Sequence, residues 1–255
     1  IWPSLDVHLI SVTEQWAQYS VAGPKSRQLL QKIINTGFNI SNDSFPYMAC
    51  GELTLCNGIP ARLFRISFSG ELAYEIAVPS RYGDALIRML MEAGEEFDIV
   101  PYGTEALGVM RIEKGHPAGN ELTGQTTARD LGMARLVSKD KDCIGNILSE
   151  RPGLNRTTGL ALVGFVPIDR SEELTAGAHF VSANKNITTE NDEGWMTSVA
   201  SSPSLGHSIG LGFIKQGNDR MGEKVVAADL LRNRCVEVKI VSPHFLDPEG
   251  TRLRA

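Results

Sequence analysis

Two stretches hold most of the side chains that could do chemistry. The first, RISFSGELAYEIAVP at 65–79, sets Glu71 and Glu75 among aromatic and apolar residues in a strand-like pattern. The second, GTEALGVMRIEKGHPAGNEL at 103–122, reads as an amphipathic helix that carries Arg111 close to Glu113. Tyr74 and Glu75 precede the apolar run Ile76-Ala77-Val78, and on a strand they point to opposite faces. A Glu75 that faces a cleft can accept two N–H donors from a 2-amino-4-oxo-pyrimidine ring as a charge-assisted pair. A Glu75 that faces water is an ordinary surface glutamate. Arg111 and Glu113 are two positions apart, hence about 200° apart around a helix, so only one of them can serve a pocket. Arg111 follows Leu107 and Gly108 at helical spacing and is the inward candidate. A buried arginine needs a carboxylate or an anionic ligand, and the sequence leaves both open. A strand carboxylate and a helix arginine suit a flat, nitrogen-rich ring with an anionic tail. That points to a pterin or folate more than to a metal or a nucleic acid.

Other chemistries have no anchor. No G-x-G-x-x-G follows a strand pattern, and neither a Walker loop nor a G-x-S-x-G elbow is present. The cysteines Cys50, Cys56, Cys143 and Cys235 form no C-x-x-C, and the five histidines are scattered. A structural metal is therefore not expected, and the cysteines fit free thiols in a reducing cytosol. Net charge is −5 with no basic stripe, which argues against nucleic acid. No apolar run reaches the ~18 residues of a membrane span. A cytoplasmic protein is the expectation.

The elements that must position these residues follow from periodicity. Residues 8–21 alternate like two strand halves around a turn. Gly23-Pro24 opens a helix over 25–34. Residues 51–56 and 61–78 alternate like three antiparallel strands, turning at Asn57-Gly58 and Ser69-Gly70. Helices are predicted over 81–97 and 104–114, the second ending at Gly115. Past residue 159 six strand runs recur, at 160–166, 179–183, 195–201, 208–214, 223–228 and 236–241, the pattern of a small barrel or sandwich. Residues 151–158 read as a linker. With 255 residues, 42% hydrophobic and 22% charged, two domains are expected, 1–155 and 156–255. The opening IWPSLDV already lies inside a patterned segment, so the sequence reads as part of a longer polypeptide.

A family resemblance rests on these same residues. SFSGELAYEIAVP resembles the YTGEDGFEI segment of aminomethyltransferases, the T-protein of the glycine cleavage system. ALGVMRIEKGHPAGNEL is similar to their helix and following loop, and TSVASSPSLGHSIGLGFI to a later strand pair. PYGTEAL, RIEKGH and SPHFLDPEGTRL resemble the C-terminal part of the alpha subunit of heterotetrameric sarcosine oxidases. The resemblance implies an α+β, T-protein-like folate-binding fold, its N-terminal part truncated, followed by a small C-terminal β-barrel. It implies tetrahydrofolate as the bound cofactor, with Glu75 as the pterin-binding glutamate. Phe68 takes the place of the tyrosine that stacks near the pterin, Arg111 matches the folate-contacting arginine, and Tyr74 joins them as a candidate contact. Glu71 matches a glutamate that is structural, and the family's catalytic aspartate would lie upstream. The implied reaction joins the imine from sarcosine oxidation to tetrahydrofolate, giving 5,10-methylenetetrahydrofolate. FAD, FMN and NAD would bind elsewhere in the complex, and the other sarcosine oxidase subunits would be partners. A stand-alone folate-dependent aminomethyltransferase or demethylase, and a non-catalytic folate-binding assembly domain, are the alternatives the same fold would serve.

Overall fold

A computed structural model describes residues 3–138, 140–155 and 159–255. Contacts among them form two compact units. One comprises the described residues up to Tyr102 together with Glu249–Ala255, and the other is Gly103–Pro248. The division falls at a different place from the compositional break near residue 155, which abuts residues 156–158, outside the described ones. The physical reason is the helix Thr104–Lys114, which packs on barrel strands and so belongs with them.

The first unit is an antiparallel sheet backed by two helices. Its strands are β1 (Trp16–Ala22), β2 (Cys50–Thr54), β3 (Pro60–Phe64) and β4 (Ala73–Pro79), in the order β1-β4-β3-β2. Helix α1 (Ser26–Ile33) buries Leu29, Leu30 and Ile33, and α2 (Gly83–Gly94) buries Leu86 and Leu90. These side chains pack with Leu63, Tyr74, Ile76 and Val78 in one core. That packing uses one face of β4 and leaves Glu75 and Ala77 on the other, the period-two consequence of a strand. Two expectations change here. Residues 8–12 form no strand, and the 8–21 stretch holds a 3-10 turn at Thr13–Gln15 followed by β1. The predicted hairpin at Ser69-Gly70 is instead a longer connection, 65–72. β3 ends at Phe64, because the Arg65 N–H and C=O bond outside the β3–β4 ladder, to Ala49 O and Met48 N.

The second unit is a closed six-stranded antiparallel barrel. The strands β5 (Leu160–Pro167), β6 (His179–Ser182), β7 (Gly194–Ser202), β8 (His207–Lys215), β9 (Lys224–Asp229) and β10 (Arg234–Val241) close in the order β10-β5-β8-β7-β6-β9. Val163, Phe165, Phe180, Met196, Val225, Val238 and Ile240 fill the barrel core, with the Phe165 and Phe180 rings stacked at 4.0 Å. β10 alternates buried and open residues, whereas every residue of β5 after Leu160 is buried. The difference arises because α3 (Thr104–Lys114) covers part of the outer wall, where Ile112 packs with Leu162, Ile209 and Phe213. A short helix, α4 (Asn146–Ser149), lies in the preceding loops. The last turn of α3 closes at Gly115, whose φ of +76° suits glycine at this position. A side-chain carbon there would also stand 2.3 Å from Pro243 O. Among the described residues no helix is long and apolar enough to cross a membrane.

Candidate functional site

Glu75 lies on the central strand of the first unit, in register between Ser20 of β1 and Phe64 of β3. Gln18, one diagonal step away on the same face, donates its side-chain amide to Glu75 Oε2. Arg62 shares this face but is committed elsewhere: it lies 4.0 Å over the Trp16 ring and donates to Glu52 at 3.3 Å. Glu75 is thus a half-buried carboxylate that accepts from a neutral amide. Burial pushes its pKa above the ordinary 4.5, because partial desolvation penalises the ionised form. Oε1 accepts no hydrogen bond among the described residues. The sequence puts Glu75 and Tyr74 on opposite faces of the strand, but it does not reveal Gln18, whose only signal is its register on another strand.

Phe68 stands in the connection 65–72 and is 40% exposed. Tyr74 is different. Expected among ligand contacts, it is 0% exposed with its ring in the core, because it occupies the opposite face of β4 from Glu75. Its hydroxyl accepts a hydrogen bond from Arg27 Nε at 2.9 Å. Glu71 accepts from Arg252 at 2.8 Å.

Arg111 lies in the second unit, on the last turns of α3. It is 9% exposed, and Glu121 beside it is fully buried. Arg111 Nη1 donates to Glu121 Oε2 at 3.0 Å and to His116 O at 3.3 Å, and Nη2 donates to Ser198 Oγ at 2.7 Å. Ser198 in turn donates to Glu121 Oε1 at 2.6 Å, and the Ala118 N–H reaches Oε2 at 2.8 Å. Of the two partners the sequence left open, the structure supplies the carboxylate. Nε and one Nη2 hydrogen of Arg111 have no acceptor among the described residues. A register shift in the β7–β8 ladder between Met196 and Ser198 accompanies this arrangement, a β-bulge of the kind that re-aims a side chain. Glu113, expected to face outward, is also buried and accepts from Ser202 Oγ at 2.5 Å. The reason is the segment 243–246, whose Phe245 and Leu246 N–H groups bond Glu113 O, so this end of α3 is covered on more than one side.

The described residues hold no group of three or more His, Cys, Asp and Glu able to bind a metal. All four cysteines are free.

The family models part the chain between residues 141 and 161, and not at Gly103 where the two contact units meet. The family model described as "GCVT N-terminal domain" matches residues 2–141, and "Glycine cleavage T-protein C-terminal barrel domain" matches 161–247. The sarcosine oxidase subunit alpha of Rhizobium meliloti (strain 1021) is 44% identical over 99% of this chain, which spans 26% of that protein. The aminomethyltransferase of Thermoanaerobacter sp. (strain X514) is 27% identical over 94% of this chain and 62% of its own length. The crystal structure of the glycine cleavage system aminomethyltransferase T from Bartonella henselae superposes with a TM-score of 0.71 at 21% identity. That superposition covers 91% of this chain and 60% of the solved one. The chain therefore has the T-protein fold with its C-terminal barrel, and it belongs to the glycine cleavage T-protein (GCVT) family.

Proposed function

We propose that this chain is the tetrahydrofolate-binding part of a sarcosine oxidase alpha-type polypeptide. There it would join the imine produced by sarcosine oxidation to tetrahydrofolate, giving 5,10-methylenetetrahydrofolate. The observation that carries the reading is 44% identity with sarcosine oxidase alpha subunits along nearly the whole chain. The donor set on β4 agrees with it. Glu75 offers an uncommitted carboxylate oxygen for pterin N–H groups, held in orientation by Gln18, and Phe68 offers a ring to stack on. Charge-assisted hydrogen bonds of this type orient as well as bind. Tyr74 supports Glu75 from the core side of the strand. Arg111, matched to the family's folate-contacting arginine, is braced by Glu121 and Ser198 with two N–H groups left for an anionic partner. Tetrahydrofolate supplies the N5 and N10 nucleophiles when bound. The chain's own contribution is to hold that acceptor so that capture of a reactive one-carbon donor outruns hydrolysis. FAD, FMN and NAD, the remaining subunits and a cytoplasmic location belong to the same proposal for the complete protein.

Isothermal titration of the complete polypeptide with tetrahydrofolate tests it. Glu75→Gln is expected to weaken binding by about 1–3 kcal/mol, the loss of a charged hydrogen bond. Unchanged affinity would remove Glu75 from the site. A second reading, a stand-alone aminomethyltransferase, draws on the 27% identity over 62% of those relatives. Coding sequence upstream separates the two. Dinucleotide-binding motifs there favour the first, and a short T-protein N-terminus favours the second.

A further inference from the structure

We infer that the tail Glu249–Ala255 is a strap that positions the Phe68–Glu75 segment, with Arg65 and Arg27 as its anchor. The inference rests on the reading above that this segment binds tetrahydrofolate. Arg65 opens the connection 65–72 and is 1% exposed. Its Nη1 donates to Phe45 O at 2.8 Å and its Nη2 to Ala255 O at 2.7 Å. Arg27, on α1, donates to the same Ala255 oxygen at 2.7 Å, and through Nε to the Tyr74 hydroxyl at 2.9 Å. The Arg65 guanidinium stands 6.0 Å from the centroid of the Tyr74 ring. Two cations from different elements therefore converge on one tail oxygen and on the side chain next to Glu75. A second tie lies further along the same connection, where Arg252 donates to Glu71 Oε1 at 2.8 Å. Leu253, between these ties, is buried.

The cost of this arrangement is the argument for its purpose. Burying a guanidinium is costly unless its donors are paired, yet Arg65 Nε is buried with no partner among the described residues. Burial lowers the Arg65 pKa accordingly. An apolar side chain would fill the volume without that penalty, but it could not grip the tail and the loop at once. Between the two ties the Gly70 and Glu71 amides bond the Ser67 and Ser69 hydroxyls, at 3.0 Å and 3.4 Å. The strap holds both ends of the span that carries Phe68 and leads into Glu75. Arg65, Arg27 and Arg252 are positioning residues here and make no claim to touch the ligand.

The test uses the complete polypeptide with Arg252→Ala, Arg252→Lys and Arg65→Gln. Hydrogen exchange at Gly70 and Glu71 is measured beside tetrahydrofolate titration. Arg252→Ala is expected to speed exchange at both amides and weaken binding about two- to fivefold, the range of a half-exposed ion pair. Arg252→Lys keeps the charge and should recover most of the loss. Arg65→Gln should weaken binding tenfold or more, as a buried charged hydrogen bond would. Exchange on β8, in the other unit, should stay unchanged throughout. Unaltered exchange at Gly70 and Glu71 in Arg252→Ala and Arg65→Gln overturns the strap, as does equal acceleration on β8. A wild-type protein that binds no tetrahydrofolate overturns the ligand reading instead.

Discussion

Replacing Arg111 by methionine probes the polar core of the second unit. Glu121 is fully buried and takes three donors: Arg111 Nη1 at 3.0 Å, the Ala118 N–H at 2.8 Å and Ser198 Oγ at 2.6 Å. Methionine keeps much of the side-chain volume but removes the cation. Glu121 then has two neutral donors and no charge partner in a fully buried position. Removing one member of a buried pair costs about 3–5 kcal/mol, mostly because the other charge is stranded. For a unit of this size, about 2–4 °C of melting temperature accompanies each kcal/mol, so a fall of roughly 6–20 °C is expected. The chain has two units, and a single unfolding midpoint mixes them. Exchange of the β7 and β8 amides reports the barrel unit alone. Glu121→Leu should also destabilise it, while the double variant Arg111→Met with Glu121→Leu should lose less than the two singles together, because no stranded charge is left. Additive losses, or a loss below about 1 kcal/mol in Arg111→Met, would refute the claim that the pair is mutually dependent.

Three further outcomes follow from the same geometry. Glu75 has a raised pKa, so its neutral form stabilises the fold at low pH and that contribution is lost as pH rises through the raised value. Pairing with ring N–H groups needs the ionised form, so tetrahydrofolate affinity should rise with pH through the window just above the ordinary 4.5, and titrations of Glu75→Gln should lack that slope. Gly115→Ala combines a positive φ with a side-chain carbon 2.3 Å from a main-chain oxygen, and urea unfolding should show a loss above about 1–2 kcal/mol, the cost of left-handed backbone alone. Arg111→Lys keeps a charge for Glu121 but loses the planar fork. On the proposed function, oxygen uptake by the complete protein should hold while formaldehyde release rises in the presence of tetrahydrofolate, and a collapse of oxygen uptake would tie the residue to the oxidative step instead.

What the sequence made legible was whatever depends on local period. Strand alternation located β2, β3, β4 and all six barrel strands, and Gly115 marked the end of α3 because only a residue at ease with positive φ fits there. The same alternation assigned Glu75 and Tyr74 to opposite faces. It did not say which face is the core, and that decided Tyr74. A tyrosine beside a binding glutamate looks like a ligand contact until α1 and α2 cover its side of the sheet. The partner of Arg111 was illegible for another reason. Helical spacing drew attention to Glu113, two residues away, yet the pairing carboxylate is Glu121, beyond the helix end in a loop. Ser198, seventy-seven residues later, is aligned with it across a bulge that no periodicity announces. The strap is the extreme case: Arg65 and Ala255 stand 190 positions apart, and their contact arises only when the tail returns to the sheet that the first half of the chain built. Pattern thus locates most elements and says which residues share a face, while the chemistry that holds the candidate site is set by loops and closures between them.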